Sequence, residues 1–195
     1  MRRVLACLAP FVAVLIFWWG FRSAWLTVLV YHAQILFWSR HRLRLLWRGW
    51  DAKLFLLFAL PCVAAGPLMY VLMPYMTDDA GSLQQWLSNV GLRGPALAVM
   101  VPYYGLVHPL LEQAHWSELR ATGILPHAAF AGYHALVIGT LLHVPWVILC
   151  VAILFAASLL WQRLEARTGG LLVPCCGHLL ADVGIVLVAW VKVVQ

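Results

Sequence analysis

Residues 171–191 read LLVPCCGHLLADVGIVLVAWV, a stretch in which Asp182 is the sole charge and His178 the sole imidazole. An α-helix rises about 1.5 Å per residue, so about 20 apolar residues cross a hydrocarbon core about 30 Å thick. The stretch is therefore long enough to span a bilayer and has no polar face to turn toward water. The same reading extends back along the chain, where apolar runs cover 4–20, 24–38, 54–75, 95 to about 119, 127–142 and 144–162. These runs predict an all-α, polytopic helical membrane protein, with about seven transmembrane or partly inserted helices around an intramembrane polar site. Residues 1–195 read as a single integral membrane domain: 1–94 supply N-terminal spans and a surface helix, and 95–195 a motif-bearing core. Several runs are shorter than a perpendicular span, so tilted, broken or half-inserted helices are expected. Pro61, Pro67 and Pro74 should kink the third run.

Composition says the same. Of 195 residues, 64% are apolar and 10% charged, with eleven tryptophans and a mean hydropathy of +0.89. A soluble domain is about 45–50% apolar and about 25% charged. Disorder and a water-soluble globule are both excluded, because so few charges cannot cover an aqueous surface.

The net charge of +6 would suggest nucleic acid in a soluble protein. Here the basic residues flank apolar runs, and no nucleic-acid partner is expected. With the N-terminus inside, ten of the thirteen basic residues fall at cytoplasmic ends, leaving Arg22, Arg93 and Lys192 opposite. The positive-inside rule then places the N-terminus in the cytoplasm of a multi-pass protein of the cell inner (cytoplasmic) membrane. Met1–Arg3 ahead of an apolar run has the look of a leader, but no A-x-A site follows, so an uncleaved first span is expected. The stretch Arg40–Arg48 reads as an amphipathic helix on the cytoplasmic surface. The five cysteines show no metal-ribbon spacing and read as packing residues, Cys175 and Cys176 included.

Ionisable groups inside the runs carry the functional signal, since a charge at mid-bilayer costs about 2.5–3.5 kcal/mol. Glu112, His134, and His178 with Asp182 stand on three separate runs. Glu112 lies seven residues before Leu119, His134 seven after His127, and His178 seven after Leu171. All three are thus about 10 Å below one face. A glutamate in an apolar pocket suits a general base that activates water. Histidines can share its proton, polarise a carbonyl or bind metal. The bland alternative is an interhelical hydrogen-bond network without chemistry.

The residues themselves read Glu112-Gln113-Ala114-His115-Trp116-Ser117, then Phe130-Ala131-Gly132-Tyr133-His134, then His178-Leu179-Leu180-Ala181-Asp182. In order and spacing this resembles the EExxxR, FxxxH and HxxxN/D motifs of the CAAX protease and bacteriocin-processing (Abi) family of glutamic-type intramembrane endopeptidases. The resemblance covers roughly residues 109–190. It implies that Glu112 and His134 activate a water, and that His178 with Asp182 polarises the scissile carbonyl or stabilises its oxyanion. Gln113, Phe130 and Trp116 would support them. No cofactor is implied, although Glu112, His134 and His178 would also make a zinc set with an open position.

Two positions depart from the pattern. Gln113 stands where the family has a second glutamate, and Ser117 where it has arginine. Gln113 keeps hydrogen-bonding capacity, and the lost charges form a matched pair, which is cheaper to lose together than singly. Arg120, one turn on, could reach back into the vacant role, although Glu118 and Arg120 also read as a solvated helix end. His108, Glu112 and His115 share a helical face, so a metal there is a further option. His32, His41, His127 and His143 read as interfacial.

The expected function is an intramembrane endopeptidase cutting a membrane-tethered protein or peptide, of the CAAX, leader or sorting-tail kind. The alternative is a non-catalytic membrane binding or bacteriocin-immunity protein that retains the pocket. A proton or ion carrier is a third option, weakened by the lack of acids at successive depths.

Overall fold

The computed structural model describes residues 2–79 and 81–194; Met1, where the leader-like start was read, lies outside the described residues. Among the described residues, nine helices besides a short 3-10 helix at Arg40–Leu45 follow in chain order: α1 (Arg2–Gly20), α2 (Ala24–Ser39), α3 (Ala52–Met76), α4 (Ser82–Asn89), α5 (Gly94–Leu106), α6 (His108–Arg120), α7 (Leu125–Ile138), α8 (Val144–Thr168) and α9 (Leu172–Val194). Among the described residues there is no β-strand.

Local chemistry sets these boundaries. Ser23 Oγ accepts from Leu26 N at the start of α2, and Asp51 Oδ1 from Leu54 N at the start of α3, each satisfying an N–H the first turn cannot. Pro95, Pro109, Pro126 and Pro145 sit in the first turns of α5 to α8, where a missing N–H costs nothing. Pro109 also accounts for the break at Val107, since it cannot donate back to the preceding turn. The axes of α5 and α6 differ by 41° there. The third run changes helix type along its course: a π-helical stretch at Phe55–Ala59 leads into a 3-10 stretch at Leu60–Ala64 containing Pro61, whereas Pro67 and Pro74, also expected to kink it, lie within the regular α-helical stretch Ala65–Met76. Gly169 ends α8 in the left-handed conformation, φ +69°.

The surface is apolar where a soluble protein's would be polar. Large aliphatics such as Leu15 on α1, Val71 on α3, and Ile148 and Ile153 on α8 are exposed, while Glu112, Gln113, His115, Arg120 and His127 are buried. That inversion fits a protein whose solvent is lipid. Among the described residues four helices, α1, α3, α8 and α9, are long and apolar enough to cross a membrane, and a fifth crossing results if bent α5–α6 counts as one span. This does not confirm the expected count of about seven transmembrane or partly inserted helices. Helix α2 has 16 residues and α7 has 14, about 24 and 21 Å at 1.5 Å per residue, short of the hydrocarbon thickness.

Helix α9 packs against α3, α5, α6 and α8, and α7 pairs with α8. Where α9 crosses α3, a Cβ added at Gly66 would lie 2.9 Å from Gly184 Cα, so the two backbones touch as small residues allow in membranes. The basic segment Arg40–Leu45 is a helix of the 3-10 kind with no buried residue. The Leu45 carbonyl accepts both from Arg48 N in its own turn and from Leu171 N, and the Arg48 carbonyl accepts from Leu172 N, which ties the segment to the start of α9.

Candidate functional site

Helix α6 carries the site because its polar residues other than Glu118 turn inward below the Val107 break. Glu112 is 1% exposed, and its two carboxylate oxygens have different surroundings. Oε1 accepts from Tyr31 Oη of α2 at 2.8 Å and from Tyr133 Oη of α7. Oε2 lies 3.3 Å from His108 Nε2, one turn earlier on α6, and 3.8 Å from His178 Nε2 of α9. Neither approach is along a hydrogen-bond axis, and both Glu112 Oε2 and His108 Nε2 are buried without a hydrogen-bond partner among the described residues. One oxygen is therefore anchored and the other left free beside two imidazoles.

Three hydrogen-bond chains converge here. Trp116 Nε1 donates to Tyr31 Oη at 2.9 Å, and Tyr31 donates to Glu112. Arg120 Nη2 donates to Gln113 Oε1 at 2.6 Å, and Gln113 Nε2 donates to His178 Nδ1 at 3.2 Å. The third runs from Tyr103 Oη to His32 Nδ1 at 2.8 Å and from His32 Nε2 to His108 Nδ1 at 3.0 Å. Because an amide nitrogen only donates, His178 Nδ1 must be a bare acceptor, and its proton sits on Nε2. That N–H faces Glu112 and also Asp182 Oδ2, 3.5 Å away at i+4. Gln113, not Asp182, thus fixes the ring's tautomer.

Phe130 is fully buried, with its ring 5.0 Å from that of His134 and 6.5 Å from that of His178. His134 Nδ1 lies 2.7 Å from the Phe130 carbonyl. A carbonyl only accepts, so Nδ1 carries the proton and Nε2 keeps its lone pair. The ring lies 4.0 Å from that of Tyr133, the residue that bonds Glu112. His134 and Tyr104 line an apolar cavity of about 230 Å³ that extends to Trp18, Met73, Trp86 and Met100.

Of the sequence-predicted residues, Glu112, Gln113, Trp116, His178 and Asp182 come together in one connected network, with Phe130 packed beside them. His134 borders this group, and among the described residues it makes no ion pair with Glu112 within 4.0 Å. No group of three His, Cys, Asp or Glu side chains among the described residues is placed to hold a metal ion. His115 turns from the carboxylate toward Ser39 Oγ and the Ala6 carbonyl, so the one-face grouping with His108 and Glu112 does not form.

Three readings need correction. Arg120 is not at a solvated helix end: it is 1% exposed, bonded to Gln113, with its guanidinium 5.5 Å over Trp161, while Glu118 pairs with exposed His41. His32 is not interfacial but buried between Tyr103 and His108. His127 is likewise buried, between Ser158 Oγ at 2.8 Å and Gln162 Oε1 at 3.0 Å. Tyr31, Tyr103 and Tyr133 were missed; the adjacency of Tyr133 to His134 was the one available signal. No family model, no curated protein and no solved structure matches the chain.

Proposed function

We propose that the chain is an intramembrane endopeptidase that hydrolyses a peptide bond of a membrane-tethered protein or peptide with a glutamate-activated water. The observation that carries this reading is the asymmetry of Glu112, with one oxygen held by two tyrosines and the other unpartnered beside two imidazoles. An unsatisfied buried carboxylate oxygen costs several kcal/mol unless something binds there, and a water is the smallest group that would.

In the reaction, Glu112 Oε2 takes a proton from that water as its oxygen attacks the scissile carbonyl carbon. The carbonyl π electrons move to oxygen, which receives the His178 Nε2–H. Such a preorganised donor is the usual means of stabilising a tetrahedral oxyanion. Collapse of the intermediate breaks the C–N bond as Glu112 returns its proton to the leaving nitrogen. His134, whose Nδ1–H is held by the Phe130 carbonyl and whose Nε2 carries the lone pair, would accept from the water in this reading. The Arg120–Gln113 pair takes the part that the Ser117 position lacks. The resemblance of the three motifs extends the substrate class to CAAX-type, leader or sorting-tail segments, and the charge distribution supports a cytoplasmic-membrane protein with its N-terminus inside.

Replacing Glu112 with Gln in the native host and comparing membrane proteomes tests the reading. An uncleaved precursor should accumulate at unchanged abundance of the variant. Its absence would sink the protease. The near-complete burial of Glu112, 1% exposed, favours a second reading, a non-catalytic binding or immunity protein retaining the pocket; that protein would keep its protective effect after Glu112→Gln.

A further inference from the structure

Two of the three chains that end on Glu112 start from groups that can only donate, the Trp116 indole and the Arg120 guanidinium. Their direction is fixed: every proton in them points toward the carboxylate. The third starts at Tyr103, a hydroxyl that both donates and accepts, and continues through two imidazoles, each of which can carry its proton on either nitrogen. It is the one chain of the three that can reverse. His32 and His108 are each 3% exposed, their rings stacked at 5.3 Å, whereas Tyr103 is half-buried at the outer end.

We propose that Tyr103, His32 and His108 form a reversible proton relay to Glu112, through which the base exchanges its proton while the site stays closed. The proposal rests on the reading of Glu112 as the catalytic base. With Glu112 ionised, the chain points inward. Tyr103 O–H donates to His32 Nδ1 and His32 Nε2–H to His108 Nδ1, while His108 Nε2 lies 3.3 Å from Glu112 Oε2, off the hydrogen-bond axis, so the last link forms only when the ring turns onto that oxygen.

When one proton enters, each of these hydrogens moves one place along. Tyr103 gives its proton to His32 Nδ1 and takes up the incoming one at its half-buried hydroxyl. His32 passes its Nε2 proton to His108 Nδ1, and His108 passes its Nε2 proton to Glu112 Oε2. Both rings stay neutral and both end as the Nδ1–H tautomer, so the chain now points outward. Protonating Glu112 and reversing the relay are the same event. The other groups near Glu112, namely Tyr31 on α2, Tyr104 on α5, Tyr133 and His134 on α7, and His178 and Asp182 on α9, take no part in it.

Nitrogen-15 NMR of the detergent-solubilised full chain, labelled at histidine, reads the tautomers without any substrate. In the native protein at neutral pH, His32 and His108 should both be Nε2–H, with a through-hydrogen-bond N–N coupling between them. In Glu112→Gln, an isosteric stand-in for the protonated acid, both should switch to Nδ1–H together, a change of about tenfold or more in each tautomer ratio, as one net hydrogen bond supplies. His178, locked by Gln113 and Arg120, should stay Nε2–H in both. Acid titration of the native protein gives the same readout if the variant fails to fold: the two rings should reverse at one shared midpoint. Reversal of one ring alone, of neither, or of His178 with them would overturn the relay. A precursor that accumulates without ring reversal leaves the protease standing and removes the relay; ring reversal without a precursor does the opposite.

Discussion

Arg120 and Gln113 are joined by a 2.6 Å hydrogen bond across two turns of α6, with the guanidinium buried and the amide turned onto His178. The pair explains how His178 is held in one tautomer: a buried cation fixes the amide oxygen of Gln113 and so turns its nitrogen onto the ring.

Arg120→Met should therefore weaken cleavage by about 10–100-fold, the worth of one charge-assisted hydrogen bond at 1.5–3 kcal/mol. The loss should fall on kcat, because Gln113 and His178 are left free to reorient. Placing arginine at the motif position in Ser117→Arg/Arg120→Ser should recover at least part of it. Turnover of the accumulated precursor in detergent is the measurement, and a double variant as inactive as Arg120→Met would show that Arg120 acts in some other way.

The two tyrosines on Glu112 Oε1 predict a different pattern. Tyr31→Phe and Tyr133→Phe each remove one hydrogen bond to a buried carboxylate, and each should cost about 1.5–3 kcal/mol in stability or turnover. Removing both should cost more than the sum, because the last donor to Oε1 goes with the second substitution. Thermal melts of the three variants in one detergent check this, and strict additivity would mean that Oε1 finds another partner.

Much of the fold was legible before any contact was known. The apolar runs coincide closely with helices. The number of crossings was not legible, since apolarity says that a helix prefers lipid and not that 14 or 16 residues reach both faces. Within the site, Glu112, His178 and Asp182 stood out because buried ionisable groups are expensive. His108 could be read as a neighbour from its i−4 spacing. Tyr31 and His32 could not: they meet α6 at sequence separations of 81 and 76, and no local pattern encodes that docking. The mixed π and 3-10 course of α3 was not legible either: kinks were expected at Pro61, Pro67 and Pro74, and of these only Pro61 lies in the irregular stretch.

Buried histidines outside the site should behave differently from those in it. His127 bridges Ser158 and Gln162, and Gln162 in turn bonds the Arg120 carbonyl, so it ties α7 to α8. His127→Ala should lower stability by about 1–3 kcal/mol, leaving buried partners unsatisfied, with cleavage per folded molecule changed less than about threefold. His178→Ala should do the reverse. Melting temperature and turnover measured on the same preparations separate the two, and a His127 variant that is stable but inactive would move that residue into the chemistry.

The α3–α9 crossing offers the sharpest test of the architecture, because His178 and Asp182 are positioned by how closely α9 approaches its neighbours. At Gly184 an added Cβ would meet Gly66 N at 2.9 Å and Gly66 Cα at 3.1 Å, both backbone atoms that cannot rotate aside. Gly184→Ala should therefore push the helices apart and cost about 1–3 kcal/mol, with Gly184→Leu costing more. Gly184 lies two residues beyond Asp182, so the displacement should also reach the site and lower turnover with stability. Gly169→Ala offers a control, since nothing stands within 4 Å of its added Cβ. Its strain is confined to a positive φ at the end of α8, which costs about 1 kcal/mol. It should lower the melting point slightly and leave turnover alone. If Gly184→Ala is as harmless as a surface change, the two backbones are not in contact, and the placement of His178 against Glu112 loses its structural support.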